Sequence, residues 1–219
     1  MISYEQIKND PAIRTYIAAA DRSLEALGFT EHSFAHVTLV AEGAARILRA
    51  LGHSEKEIEL ALIAGYMHDI GNLVNRIEHS QSGAVMAFRI LDKLGMDAED
   101  IATVVTAIGN HDEGTGIPVN AVSAALILAD KSDVRRSRVR CRDEQSFDIH
   151  DRVNYSVTDS RLEVNTEDKT VRLTLTIDTE VGSIMDYFHI FLERMTLCIK
   201  AAVELGLSFK LTINGQNFI

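Results

Sequence analysis

The segment that decides the fold reads Tyr66-Met67-His68-Asp69-Ile70-Gly71-Asn72. It follows an apolar stretch in which Ala61, Leu62 and Gly65 precede His68 and Asp69 with the spacing of one helical face. The imidazole and the carboxylate are therefore predicted to lie on the buried side of a helix, at its C-terminal end. Burying both groups is unfavourable unless something binds them. A divalent metal ion is the simplest such partner.

Four other segments share this feature. Helices are predicted over residues 36–51, 79–94, 101–111 and 119–134, and each has an apolar face that carries one ligand-type side chain near an end. These side chains are His36, His79, His111 and Asp130. A single histidine on an apolar face is usually a core residue that bonds to the backbone. Five helices that each contribute such a residue favour metal binding.

The ordered series resembles the HD-domain superfamily of metal-dependent phosphohydrolases, over about residues 30–135. The resemblance is carried by His-Asp-Ile-Gly after an apolar helix, with a histidine upstream and Ala-Asp at the end of a later helix. It implies a helical bundle and one metal ion bound by His36, His68, Asp69 and Asp130. It also implies a second metal ion completed by His79 and His111, with Asp69 bridging the two ions.

The resemblance also implies a chemistry. A water shared by the two metals would attack a phosphate, with Asp69 as the bridging ligand. Lys131 and Arg135 follow Asp130 within about two helical turns, so they are the other predicted catalytic residues. Lys131, Arg135 and Arg136 are candidates to hold the substrate phosphate, with a solvated basic helix as the alternative. In that helix Arg135, Arg138 and Arg142 would share one face. The imidazole-rich set favours one or two ions of Mn, Fe, Co, Ni or Zn over Mg.

Several neighbouring residues have two interpretations each. His32 is either a further ligand or a capping residue, and Glu78 either orients a ligating histidine or is a solvated charge. Asp112 or Glu113 is a candidate general base, although acidic residues are also common at helix ends. The last two residues of the segment quoted first are Gly71 and Asn72. Gly71 is expected to end its helix in the left-handed conformation. Asn72 stands where many members of the HD-domain superfamily have a lysine.

The sequence changes character near residue 155. Leu162 and Val164 are predicted to pair, across a polar turn, with a strand centred on Leu173. A long amphipathic helix from about Ile184 and a last strand around Leu211 complete a β-β-α-β unit. The predicted fold is thus mainly α, an HD-domain helical bundle in residues 1–152, followed by a small α+β appendage in residues 153–219.

Composition limits the classes of function. The 219 residues are 46% hydrophobic, which suffices for one core, and no run is long enough to span a membrane. The two cysteines and the lack of a signal-peptide pattern predict a cytoplasmic protein. The net charge of −10 argues against nucleic acid as a partner. A small phosphorylated substrate is expected, and an amphipathic appendage makes a homodimer plausible.

The predicted function is hydrolysis of a phosphoester, a nucleotide or a similar small phosphate, by metal-activated water. One metal would suffice for a phosphomonoester, and the sequence leaves a phosphodiesterase open as the other type of phosphohydrolase. The alternative is a sensor that binds a nucleotide or metal without turnover and signals through the C-terminal unit. Oxygenase chemistry at a mixed-valent di-iron pair, which some HD-like proteins perform, is a third interpretation.

Overall fold

The computed structural model describes residues 2–141 and 147–219. The helices are α1 (Tyr4–Asn9), α2 (Pro11–Ala26), α3 (Phe34–Ala50), α4 (Glu55–Met67), α5 (His79–Leu94), α6 (Ala98–Gly109), α7 (Ala121–Lys131), α8 (Ile149–Ser156) and α9 (Ile184–Glu204). Short 3-10 turns occupy Ile70–Leu73 and Arg136–Arg138. The strands are β1 (Val157–Asn165), β2 (Thr170–Ile177), β3 (Ser208–Ile213) and β4 (Gln216–Asn217).

Local sequence signals set where the first helices begin. Ser3 and Gln6 form a reciprocal capping box at the start of α1, and Asp10 caps α2, which begins with Pro11. Ser54 caps α4 in the same way as Ser3 caps α1. These side chains satisfy backbone N–H groups that have no partner within the helix.

The centre of the bundle depends on a close approach between α3 and α4. A Cβ atom at Gly65 would lie 2.5 Å from the Cα of Ala41, so only glycine fits at this crossing. Helix α3 also packs against α7, and α4 contacts both α6 and α7. This packing brings the C-terminal end of α4 next to the first turn of α3, which places His68 beside His36.

The C-terminal strands form a mixed sheet in the order β1-β2-β3-β4. Strands β1 and β2 are antiparallel, with Leu162 opposite Leu173 and Val164 opposite Val171, which confirms the predicted hairpin. Strand β3 runs parallel to β2 after the crossover through α9, and the short β4 pairs with the end of β3. The predicted β-β-α-β unit is therefore present, with β4 as an addition.

The two parts of the chain share one core. A single cluster of buried apolar side chains joins α3 and α7 to β2, β3 and α9, and α9 packs directly against α7. The predicted boundary between residues 152 and 153 lies inside α8. The division into two domains stays a prediction. Within residues 2–141 and 147–219, no helix combines the length and the apolar character that crossing a membrane requires.

One predicted helix is wrong in its extent. Helix α7 ends at Lys131, so Arg135 and Arg138 are not on a common helical face. Arg138 is instead buried, where its Nε donates to the carbonyl of Glu31 and its Nη1 to the carbonyl of Asp133. For Arg138 to donate to these two backbone carbonyls, the chain must turn away from the axis of α7 after Lys131. Arg142 lies outside the described residues.

Candidate metal centre

The six predicted ligands converge in the middle of the bundle. His36 lies in the first turn of α3, His79 is the first residue of α5, and Asp130 is the last residue but one of α7. The remaining three lie just beyond helix ends, His68 and Asp69 after α4 and His111 after α6. All six are buried or nearly so, with Asp130 the most exposed at 9%.

Four of the six form a first cluster. The Nε2 of His36 lies 3.5 Å from Asp69 Oδ2 and 3.4 Å from Asp130 Oδ1. The Nε2 of His68 lies 3.3 Å and 3.6 Å from the same two oxygens. Ligands that each bind one ion at about 2.1 Å lie roughly 3.0–3.5 Å from one another. The spacing therefore fits a bound divalent metal.

Hydrogen bonding supports this assignment. Among the described residues, His36 Nε2, His68 Nε2 and Asp69 Oδ2 are buried atoms without a hydrogen-bond partner. Buried polar atoms are rarely left unpaired, because each costs about 1–3 kcal/mol. Three such atoms that face one point are best explained by a cation that binds them together.

A second cluster adjoins the first. The Nε2 atoms of His79 and His111 are 3.1 Å apart, and His79 Nε2 lies 3.5 Å from Asp69 Oδ1. The lone pairs of two Nε2 atoms that are 3.1 Å apart repel each other, unless a proton is shared between them or both bind the same metal ion. Asp69 thus presents one oxygen to each cluster. His68, Asp69 and His111 also form a group whose ligand atoms are close enough to hold a metal.

The other nitrogen of each histidine is fixed. His68, His79 and His111 each donate Nδ1–H to the carbonyl oxygen three residues earlier, at 2.7, 3.0 and 2.6 Å. His36 donates Nδ1–H to Asp133 Oδ2 at 2.7 Å. These bonds place the proton on Nδ1 and leave Nε2 as the free ligand atom, as in known metal sites.

The charge distribution suits a cation. Burial by itself would lower the pKa of His68, but Asp69 and Asp130 outweigh it and raise that pKa to about 10. Burial would likewise raise the pKa values of Asp69 and Asp130, yet histidines (and Lys131 for Asp130) hold both well below their ordinary range. The cluster therefore attracts positive charge strongly, and metal binding would displace protons from it.

Comparison with known proteins agrees with this geometry. The profile of the HD domain family matches residues 33–156, more than half of the chain. The chain belongs to the HD domain family. HD domains bind divalent metals, and the His and Asp clusters described above are the groups in this chain that could hold them.

This HD protein is similar to proteins from microorganisms. An uncharacterized protein from Methanocaldococcus jannaschii is 25% identical over 206 residues, covering 82% of this chain and 77% of that protein. A crystal structure of a predicted HD superfamily hydrolase from an uncultured Thermotogales bacterium is 22% identical. It covers 60% of this chain and 73% of that chain, with a TM-score of 0.44.

Sequence reasoning missed two residues that hold the HD ligands in place. Asp133 orients His36 and is itself bound by Arg135, whose Nη2 lies 3.0 Å from Asp133 Oδ2. Asn72 donates Nδ2–H to Asp69 Oδ1 at 2.9 Å, so it fixes the oxygen that faces the second cluster. The position of Asn72, three residues after Asp69, was the available signal.

Basic side chains predicted to bind phosphate all have carboxylate partners. Lys131 Nζ lies 2.8 Å from Asp130 Oδ2, within the centre. Arg135 bonds to Asp133, and Arg136 lies 3.5 Å from Asp178 with its guanidinium over the ring of Tyr155. Their roles toward a substrate stay predictions, and Lys131 is the one in direct contact with a predicted ligand.

The structure also gives the positions of His32, Glu78 and Gly71, for which the sequence predicts a role near the centre. Ser33, not His32, caps α3, and the His32 ring lies 5.4 Å from that of His36. Glu78 is exposed, with its backbone in the left-handed region at φ +58°. Gly71 is not left-handed, because the glycines with positive φ lie elsewhere in the described chain. The expected conformation of Gly71 is therefore wrong.

A chain of charges connects the centre to the C-terminal helix. Lys131 Nζ, beside Asp130, lies 3.3 Å from Glu113 Oε1, and Arg194 Nε on α9 lies 2.6 Å from the same oxygen. Burial would raise the pKa of Glu113, but Lys131 and Arg194 outweigh it and hold that pKa below its ordinary value of 4.5. Glu113 is thus a carboxylate that stabilises the fold, and a poor base.

Replacing Glu113 by glutamine is expected to lower the free energy of unfolding at pH 7 by about 3 kcal/mol. For a chain of this length that is a fall of roughly 6–12 °C in Tm. The carboxylate's contribution is complete above pH 4.5 and is lost as the pH falls further, since only the unfolded state then takes up the proton. The Tm values of the two proteins should therefore converge in acid, as measured by thermal unfolding from pH 7 to pH 3.

Glu163→Gln is a matched control for this measurement, because Glu163 is exposed on β1. It should change stability by less than about 0.5 kcal/mol at every pH. A Glu113→Gln protein that differs from wild type by the same amount at pH 7 and at pH 3 would show that the stabilisation is not ionic.

Proposed function

We propose that this HD protein is a metal-dependent phosphohydrolase that cleaves a small phosphoester, such as a nucleotide, with metal-activated water. One observation carries the proposal, namely that buried Nε2 and carboxylate atoms converge at ligand spacing on both sides of Asp69, and that in the first cluster three of them have no hydrogen-bond partner. This arrangement suits two ions about 3.5–4 Å apart, as in two-metal phosphatases.

The residues present fit such ions. His36, His68, Asp69 and Asp130 would hold one ion, and Asp69, His79 and His111 would hold a second. Imidazole nitrogens dominate the set, so Mn, Fe, Co, Ni or Zn is preferred over Mg. When bound, such metals lower the pKa of water to near neutrality and polarise phosphate oxygens.

The protein's own side chains would supply the remaining functions. Lys131 lies beside Asp130 and would offset negative charge that develops on the phosphate. Asp69 would set the separation of the two ions, held by Asn72. Arg135 would act through Asp133, which orients His36.

Asp112 is the better candidate for proton transfer. Its Oδ1 lies 4.0 Å from His79 Nε2. Burial, and then a hydrogen bond with Glu113, raise the pKa of Asp112, whereas Lys131 and Arg194 occupy Glu113. A carboxyl group with a raised pKa at the edge of the centre suits a general acid or base.

Metal content tests the two-metal arrangement. The purified protein is expected to contain about two transition-metal ions per chain, and His79→Ala about one, because only the second cluster loses a ligand. Plasma mass spectrometry measures both. His53→Ala is the matched control, since His53 is a partly buried histidine that pairs with Glu57 elsewhere on the surface.

The outcomes separate the alternatives. One metal ion in both wild type and His79→Ala would indicate a mononuclear phosphomonoesterase. Metal binding without turnover on a panel of mono- and diesters would favour the sensor, and oxygen uptake by the iron-loaded, reduced protein would favour the oxygenase. Hydrolysis of a phosphoester that depends on added metal supports the proposal.

The cellular setting and the partners are proposed from the cysteines and the net charge. Cys141 and Cys198 form no disulfide in the described structure, which suits the reducing cytoplasm. The acidic net charge of −10 disfavours nucleic acid as a partner. A homodimer stays a prediction, which light scattering would test.

A further inference from the structure

A cavity of about 330 Å³ lies beside the HD centre. It is enclosed by the segment after α2, by α8 and by α9, and three arginines line it, Arg76, Arg138 and Arg194. Among the three arginines, Arg76 reaches a candidate ligand, since its Nη1 lies 3.4 Å from His79 Nε2. The cavity and the candidate metal ligands therefore meet at Arg76.

The three arginines differ in their partners. Arg138 Nη1 lies 3.8 Å from Asp133 Oδ2, and Arg194 forms an ion pair with Glu113. Arg76 contacts Asn72 Oδ1 at 3.4 Å and the ring of Phe29 at 5.8 Å. Within residues 2–141 and 147–219 it has no ion pair with a carboxylate. Arg76 differs in this respect from Lys131, Arg135 and Arg136, each of which pairs with a carboxylate.

We propose that Arg76 binds the phosphate of the substrate, and that the cavity receives the rest of a small, polar phosphomonoester. The inference rests on the proposed function, since it concerns the same site. A metal ion at His79 and the guanidinium of Arg76 carry like charge and would repel each other at this distance. A dianionic phosphate between them would bind both, and guanidinium groups suit phosphate oxygens in a bidentate arrangement.

The cavity limits what the substrate can be. At about 330 Å³ it lies at the small end of ligand pockets. Asp148, Asp151 and Asn154 line it opposite the apolar side chains of Leu27 and Phe29. Carboxylate and amide groups there would accept hydrogen bonds from hydroxyl or amino groups. A compound no larger than a mononucleotide or a sugar phosphate meets these conditions.

Inorganic phosphate is the probe for this assignment. It is titrated calorimetrically into the metal-loaded, full-length wild type, Arg76→Met, Arg76→Lys and Arg89→Met, and the metal content of each sample is measured. Arg76→Met is expected to bind phosphate roughly 10- to 100-fold more weakly than wild type, and Arg76→Lys to recover part of that loss. Arg89 is exposed on α5, so Arg89→Met should bind like wild type.

Four results would overturn the role of Arg76. They are phosphate affinity in Arg76→Met within twofold of wild type, an equal loss in Arg89→Met, loss of metal from Arg76→Met, and no phosphate binding by wild type. Failure of the proposed function gives a different result. Phosphate binding that depends on Arg76, in a protein that hydrolyses no phosphoester, would support the binding site and reject the hydrolase.

Discussion

Replacing Asp69 by alanine is expected to remove both metal ions and to lower phosphoester hydrolysis by on the order of 1,000-fold or more. Asp69 Oδ2 faces His36 and His68, and Oδ1 faces His79. His68 also lies close to His111, but it has a single free ring nitrogen, whereas Asp69 offers a separate oxygen to each cluster. Its loss therefore removes a ligand from each ion and the bridge between them.

Metal analysis and steady-state kinetics measure the two effects separately. Asp100→Ala is the matched control, because Asp100 is also buried but lies in the first turn of α6, outside the two clusters. Its Oδ1 lies 2.6 Å from Lys56 Nζ. This variant should lose stability yet keep its metal and its kcat. An Asp69→Ala protein that retains two ions and normal turnover would reject the bridging role.

The ligand positions could be predicted because helix periodicity alone defines them. Three of the ligands lie on the apolar side of a regular helix, namely His36, His79 and Asp130. The spacing of the apolar residues in each helix therefore predicts the direction in which the ligand side chain points. His68 and His111 lie one or two residues beyond a helix end, still close to the direction set by the preceding turns. The predicted helix over 79–94 matches α5 in both bounds.

The residues that support the ligands could not be predicted in the same way. Asp133 and His36 are 97 positions apart, and Glu113 and Arg194 are on different elements, so only the packing of the whole chain brings them together. Arg76 is in a loop, where no periodicity defines a direction. The same limit explains the arginine segment, since its conformation depends on the carbonyls that Arg138 reaches.

The sequence correctly predicts that the position of Gly71 requires glycine, but the predicted reason is wrong. The sequence predicts a helix stop that needs the left-handed conformation, but the structure shows a steric requirement instead. A Cβ atom at Gly71 would lie 2.0 Å from the carbonyl oxygen of His79 and 2.4 Å from the backbone nitrogen of Gly83. Glycine at this position allows the turn after Asp69 to contact the first turns of α5.

Replacing Gly71 by alanine is therefore expected to lower the free energy of unfolding by about 3 kcal/mol or more, because backbone rather than a flexible side chain must move. The movement would displace His79, so the second metal should bind more weakly even in molecules that remain folded. Urea unfolding and metal titration measure these two effects. Alanine at Gly109, the last residue of α6, is the control, since its Cβ would lie 3.6 Å from the Cβ of Ala84 on α5, an ordinary van der Waals contact. A Gly71→Ala protein as stable as Gly109→Ala, with unchanged metal affinity, would show that α5 can move away from the turn without disturbing His79.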